Sequence, residues 1–193
     1  MDGQLTIGAP AQLRDDVWVA EMTDFWRSAG RQKWFVKDPA FDIECRDRFL
    51  DHHLAAAKRA YDYGAETPAG SLPLVLLLDQ FPRNAFRGTV RMYATDPLAR
   101  MFARRALAAG HDQTTAEDLR PFLYLPFGHS EDLADQELSV ELNRALGPEQ
   151  EKYAMGHRDI IFRFGRFPHR NPLLGRSNTR DEEAFLAAGG FAG

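Results

Sequence analysis

Cysteine occurs once in the 193 residues, which excludes an internal disulfide and fits a reducing compartment. That residue, Cys45, stands in an amphipathic helical stretch with no nearby Cys/His ligand set, so it reads as an inert, packed thiol. Long apolar runs are missing too, and no stretch approaches the ~18 residues of a membrane span. The opening MDGQLTIGAPAQLRDD lacks the basic start and continuous apolar core of a signal peptide. Cytoplasm, without membrane attachment, is the expected location. A strong charge of either sign is also absent, because the net charge of -4 gives no global pull toward nucleic acid or anionic lipid. Phosphate-cradling loops, dinucleotide fingerprints, nucleophile elbows and H-E-x-x-H-type pairs do not occur. His52 and His53 are adjacent and point to different helix faces. His129, His157 and His169 stand near carboxylates without tight ligand spacing. The expectation is therefore no metal site and no cofactor.

Strand signals are nearly missing, whereas helix signals run from end to end. A hydrophobic share of 44% and a charged share of 27% are ordinary for a folded chain, and the length suits one domain. We expect a loose segment over residues 1–14 and a single all-α domain over 15–193. Val17, Trp18, Met22, Phe25 and Trp26 recur at helical spacing, and Gly30 closes that helix. Asp38-Pro39 opens a helix expected to reach Tyr63. Ser71 reads as the cap of LPLVLLLDQF, a helix apolar almost all round and therefore central, with a break at Pro82. Asp96-Pro97 repeats the start signal for a helix ending at Gly110. Pro121 and Pro126 predict a short or kinked element over 115–128. Ser130 opens a helix ending at Gly147, Pro148 one ending at Gly165, and Thr179 a last one ending at Gly189. About seven to nine helices with short connections follow from these signals.

Three polar features interrupt the pattern. Asp79 shares a face with Leu72 and Leu76 on the most apolar helix, where an ionised carboxylate loses several kcal/mol of hydration unless paired. Arg83, Asn84 and Arg87 follow as candidate partners, and a structural Asp–Arg pair at a helix end explains them as well as a functional one does. The segment from His157 to Arg176 holds Arg158, Arg163, Arg166, Arg170 and Arg176 with His157 and His169, against the one acid Asp159. His157 falls on the apolar face with Tyr153, Ile160, Ile161 and Phe164. The loop FGRFPHRN, pinned by aromatics, presents several guanidinium donors to phosphate or carboxylate. The acidic stretch Glu131–Glu151 is the third feature. Glu137 and Glu141, one turn apart between apolar strips, line a groove or form a solvated stripe shared with Arg144, the second being the favoured reading, and pairing between this stretch and the arginines accounts for both charge excesses without a ligand. The basic segment is too short for a nucleic-acid surface.

LLLDQFPRNAFRGT, YATDPLAR, FLYLPFGHSEDLADQE, HRDIIFRFGRFPHRNPLLGR and the closing TRDEEAFLAAGGF resemble the signature blocks of the domain of unknown function 924 family, over about residues 26–191. The resemblance implies an all-helical fold of the tetratricopeptide-like superhelical type and carries over no reaction. The polar residues inside these blocks are Asp79, Gln80, Arg83 and Asn84; His129, Glu131 and Asp132; and His157, Arg158, Arg163, Arg166, His169, Arg170, Asn171 and Arg176. If the blocks converge, they form a pocket for a small phosphate- or carboxylate-bearing molecule. Arg83, Arg163, Arg166 and Arg170 would clamp the anion, and His129 or His157 would act as acid or base, oriented by Asp79 or Glu131. The competing expectations are a helical scaffold that takes up a peptide or protein partner, and a purely structural role in which every buried arginine is paired.

Overall fold

Prolines and polar caps set where most of the helices begin, as a computed structural model describing residues 17–191 shows; the expected loose segment lies outside those residues. Helix α1 (Val17–Ala29) ends at Gly30, whose φ of 65° suits glycine, and the single turn α2 (Arg31–Trp34) follows. Asp38 caps α3 (Pro39–Ala57), its carboxylate accepting from the Ala40 and Phe41 N–H groups. This helix stops at Ala57 and does not continue to Tyr63, because Arg59 takes φ 70° and the left-handed residue ends the α-helical ladder. A 3-10 turn (Asp62–Glu66) leads on to α4.

Helix α4 (Pro68–Ala85) corrects two expectations. Its cap is Thr67, whose hydroxyl accepts from Gly70 N–H. Ser71 is instead buried inside the helix, with its hydroxyl 2.8 Å from His111 Nδ1. Nor does Pro82 break the helix. A proline has no N–H to give the carbonyl four residues back, and that carbonyl, Leu78, is met at 2.6 Å by the Thr95 hydroxyl. His53 Nδ1 lies 2.9 Å from the preceding carbonyl, Leu77, and Arg83 donates at 2.6 Å to the following one, Asp79. Side chains thus serve three consecutive carbonyls, and the helix continues through its proline.

The all-apolar reading of α4 holds. Leu74 to Leu78 and Phe81 are wholly buried, and the helix packs against α1, α3, α5 (Asp96–Ala108), α6 (His111–Thr114) and α7 (Pro121–Gly128). Trp18, Trp26, Phe102, Phe122 and Phe127 complete this main core. Each such side chain is worth about 1.5–3 kcal/mol when fully buried. Helix α8 (Leu133–Arg144) packs against α7 and α9 (Pro148–Phe164), and α10 (Arg180–Ala187) lies against the 3-10 turn Pro168–Arg170. Ile160, Ile161 and Phe167 form a second, smaller core with Phe164, Phe185 and Phe191.

The cap of α8 is Asp132, not Ser130. Ser130 donates instead to Asp135, five residues on inside α8, at 2.6 Å, and its oxygen accepts from the Asp132 N–H at 3.2 Å. The closing glycine of α9 and the start of α10 are as read: Gly165 is left-handed at φ 68°, and Thr179 forms a capping box with Glu182. Among the described residues there are ten α-helices and no strand. The count exceeds the expected one because α2 and α6 are single turns of four residues. The superhelical layout implied by the resemblance is a finer statement than these contacts establish, since α4 meets five other helices whereas a stacked array touches mainly its neighbours.

Candidate functional site

Asp79 sits where the side-chain-served stretch of α4 meets α7, and none of it reaches solvent. His129, just past the end of α7, places Nδ1 2.8 Å from Asp79 Oδ1. Gln80 donates to the other carboxylate oxygen at 2.6 Å, and Arg83 Nη1 lies 3.3 Å from Oδ1. Burial alone raises a carboxyl pKa, but the Arg83 guanidinium and the hydrogen bonds from His129 and Gln80 outweigh it and hold Asp79 below the usual carboxylate range. Burial and the Arg83 charge outweigh the pull of Asp79 on His129, so its pKa lies below that of a free imidazole. An ionised Asp79 beside a neutral His129 fixes the tautomer: Nδ1–H donates to the carboxylate, and Nε2 carries the lone pair. His129 keeps 20% of its side chain exposed, so the dyad reaches the surface through this ring.

Arg83 also grips Asp96 through two bonds of 2.9 and 3.1 Å. Asp96 was expected to start α5 as a cap. It is instead buried and shared between two guanidiniums, the second being Arg170 at 3.6 Å. Arg170 differs from every other buried charge here. Its side chain is 8% exposed, it donates no hydrogen bond among the described residues, and its Nε is buried without a partner. It lies over the Tyr93 ring at 4.5 Å and the Phe167 ring at 4.7 Å. Burial, then the charge on Arg83, depresses its pKa.

Two further imidazoles converge on this point. His157, on the inner face of α9 as the helical projection indicated, is 3.1 Å from the Tyr153 carbonyl and packs against Phe167 and Phe191. Burial, with the competing protonation of His129 and the charge of Arg170, pushes it down to about 4. His169 is pushed to about 4 by burial, Arg170 and His157, and its Nδ1 is buried without a partner. Asp79, Gln80, Arg83, His129, His157, His169 and Arg170 therefore come together, drawn from α4, α7, α9 and the turn before α10.

The remaining expected residues lie in other networks. Arg176 pairs with Glu131 through bonds of 2.7 and 2.8 Å, and Glu131 also accepts from the Phe167 N–H at 2.8 Å. Burial opposes these contacts but they outweigh it, and Glu131 stays below its ordinary pKa. Asn171 accepts from Arg176 and donates to Asn178. Arg166 clasps Glu182 and the Ser177 carbonyl, and its hydrogen bond holds Glu182 down to about 2. These residues fasten the segment that carries Arg170. Asn84 accepts from Arg87, which turns to Asp42. Asp132 is a cap. Arg158 binds Glu137 and Asp159 on the exposed side of α9, so Glu137 is a paired surface acid. Arg163 lies over Phe164 at 4.6 Å, beside a separate cavity.

Sequence reasoning missed Asp96 and Tyr93. No local signal would have found Asp96, since Asp-Pro is a sound helix start and its role depends on α4 and the Arg170 turn arriving from afar. Cys45 is wholly buried and its thiol is pushed up to about 12, chiefly by burial, as an inert thiol should be. Among the described residues no group of three His, Cys, Asp or Glu side chains is disposed to hold a metal ion, and no helix is long and apolar enough to cross a membrane.

No curated protein matches the sequence. The pattern of a family described as bacterial protein of unknown function, DUF924, matches residues 16–190. A solved structure of a protein of unknown function from Agrobacterium tumefaciens is 55% identical, with a TM-score of 0.87, covering 89% of this chain and 98% of that one.

Proposed function

Since the chain belongs to the DUF924 family, whose description assigns no activity, we infer its function from the site: it binds a small phosphate- or carboxylate-bearing molecule at Arg170 and exchanges a proton with it through His129. The observation that carries this reading is the Arg170 guanidinium, which is buried with an unpartnered Nε, donates no hydrogen bond among the described residues, and shares its carboxylate, Asp96 at 3.6 Å, with Arg83. A buried charge costs several kcal/mol unless its donors are satisfied, and Asp96, which Arg83 holds by bonds of 2.9 and 3.1 Å, stays 3.6 Å from Arg170. An oxyanion is the group that fills a vacant guanidinium fork. In the same charge cluster, linked to Arg170 through Arg83 and Asp96, stands the His129 imidazole, whose Nδ1–H is held by Asp79 and whose Nε2 carries the lone pair that takes a proton. A lowered pKa keeps that nitrogen unprotonated at neutral pH, the state a general base requires. His157 and His169, neutral for the same reason, line the site without adding charge.

The test is a thermal-shift screen of inorganic phosphate, phosphate monoesters and small carboxylates. A ligand present at about 100 times its Kd adds about 2.7 kcal/mol of stability, or about 5–10 °C for a chain of this length. We expect at least one anion to reach this in the parent protein and to fail in Arg170→Met. The stabilising molecule is then followed by NMR for turnover, which His129→Gln should abolish while binding persists. A screen without any stabilising anion overturns the binding reading, and undiminished turnover in His129→Gln overturns the role of the base.

A further inference from the structure

On the outer side of His157, between α9 and α10, lies a cavity of about 630 Å³. That volume falls in the range of small-molecule sites. Its walls are Tyr153, Ile160, Phe164, Phe185 and Phe191, with His157 at the inner end. Arg163 and Lys152 also line it, and neither has a hydrogen bond or a carboxylate partner among the described residues. Arg163 is spread over Phe164 at 4.6 Å and Phe185 at 6.0 Å, which keeps its guanidinium at the edge of the apolar surface. Two carboxylates share the lining. Asp159 is occupied by Arg158 at 2.7 Å, and Glu149 stands a full helical turn before Tyr153, toward the start of α9.

We propose that this cavity binds an amphipathic organic anion, a medium-chain alkyl or arylalkyl carboxylate, with its apolar part against Ile160, Phe164, Phe185 and Phe191 and its carboxylate at Arg163. Charge complementarity and shape carry the assignment. A cation that lies free at the edge of a mainly apolar cavity favours a ligand with the opposite sign at one end and hydrocarbon at the other. A guanidinium stacked on an aromatic ring leaves its N–H edge open for a bidentate carboxylate. His157 lines both this cavity and the site at Arg170, but the binding described here uses neither Arg170 nor His129.

Gly156 provides a clean test. It lines the cavity, it lies within α9, and a Cβ built on it meets no atom within 4 Å. Gly156→Leu therefore fills the space and also raises helix propensity, so the variant should fold at least as well as the parent. Binding is read with the fluorescent probe 8-anilinonaphthalene-1-sulfonate, displaced by octanoate, octanol, octylamine or acetate. We expect octanoate to displace the probe, acetate and octylamine to be at least about tenfold weaker, and Gly156→Leu to lose both probe and octanoate binding. Arg163→Gln should weaken octanoate about tenfold, roughly the worth of one charge-assisted hydrogen bond, and leave octanol unchanged. Arg170→Met should leave all of these affinities unaltered, which separates this site from the proposed proton-transfer site. Equal affinity for octanoate and octanol, or full binding by folded Gly156→Leu, overturns the proposal, as does a parent protein from which octanoate displaces no probe.

Discussion

Arg170→Met asks whether a buried guanidinium serves the fold or a ligand. The side chain is 8% exposed and makes no hydrogen bond among the described residues, and the Asp96 carboxylate is 3.6 Å away. Removing it relieves one unsatisfied buried donor, Nε, worth about 1–3 kcal/mol and more for a charged group. It also relieves repulsion from Arg83. Against that stand the stacking contacts with Tyr93 and Phe167, at about 0.5–2 kcal/mol each, of which a methionine on the same rings retains a share. Asp96 is not stranded, because Arg83 still holds it with two bonds. The balance is a gain of about 1 kcal/mol, or a rise in Tm of about 2–4 °C. Arg176→Met is the control. It strips Glu131 of a two-bond partner and should cost about 2–3 kcal/mol, or about 4–12 °C. Circular dichroism melts in phosphate-free buffer at pH 7 measure both. If Arg170→Met falls as far as Arg176→Met, Arg170 is a structural ion-pair partner and the anion site loses its support.

Stability should fall on acidification before the carboxylates titrate. Between pH 6.5 and about 4 the unfolded chain takes up a proton on His157 that the folded ring refuses, so stability declines as pH drops through that window by about 3 kcal/mol from this group; urea midpoints at pH 7 and 4.5 should show it, and His157→Phe should flatten the slope. Gly70→Ala would place a Cβ 2.8 Å from the Gly64 Cα, a backbone clash that no rotamer relieves, and should cost about 2–3 kcal/mol in a urea titration. Thr95→Val removes the donor to the Leu78 carbonyl and should cost about 1–3 kcal/mol; a loss below about 0.5 kcal/mol would mean that α4 tolerates Pro82 by some other route.

Helix starts were legible where the capping residue acts on its own helix. Asp38 and Thr179 cap as read because the carboxylate or hydroxyl has no better partner within reach. Ser71, Ser130 and Asp96 each carried a cap pattern and each went elsewhere, to His111, Asp135 and Arg83. His111 and Arg83 stand on other helices, and Asp135 is offered to Ser130 only once α8 has formed, so a local cap pattern does not register such competition. Pro82 misled for the same reason, since its rescue by Thr95 is a tertiary contact. Of the site, Asp79 stood out because a carboxylate on an apolar face needs an explanation, and Arg83 was its natural partner. The inward face of His157 followed from helical periodicity. That Arg166 and Arg176 are satisfied while Arg170 is not depends on which carboxylates arrive beside them, and composition does not record that.

The service of the Leu78 carbonyl by Thr95 reaches beyond that one bond. The next residue, Asp96, binds Arg83, which in turn binds the Asp79 carbonyl, so α4 and the start of α5 open and close as a single cooperative unit. Amides near Asp79 should exchange with solvent only through global unfolding. Arg170, His157 and His169 belong to a different unit, built on the small apolar cluster of α9 and α10, whose sub-global opening requires less free energy. A molecule held between Arg170 and His129 would bridge the two. Its arrival should then be visible in hydrogen exchange as slower opening of α9 and α10, with little change in the already protected α4.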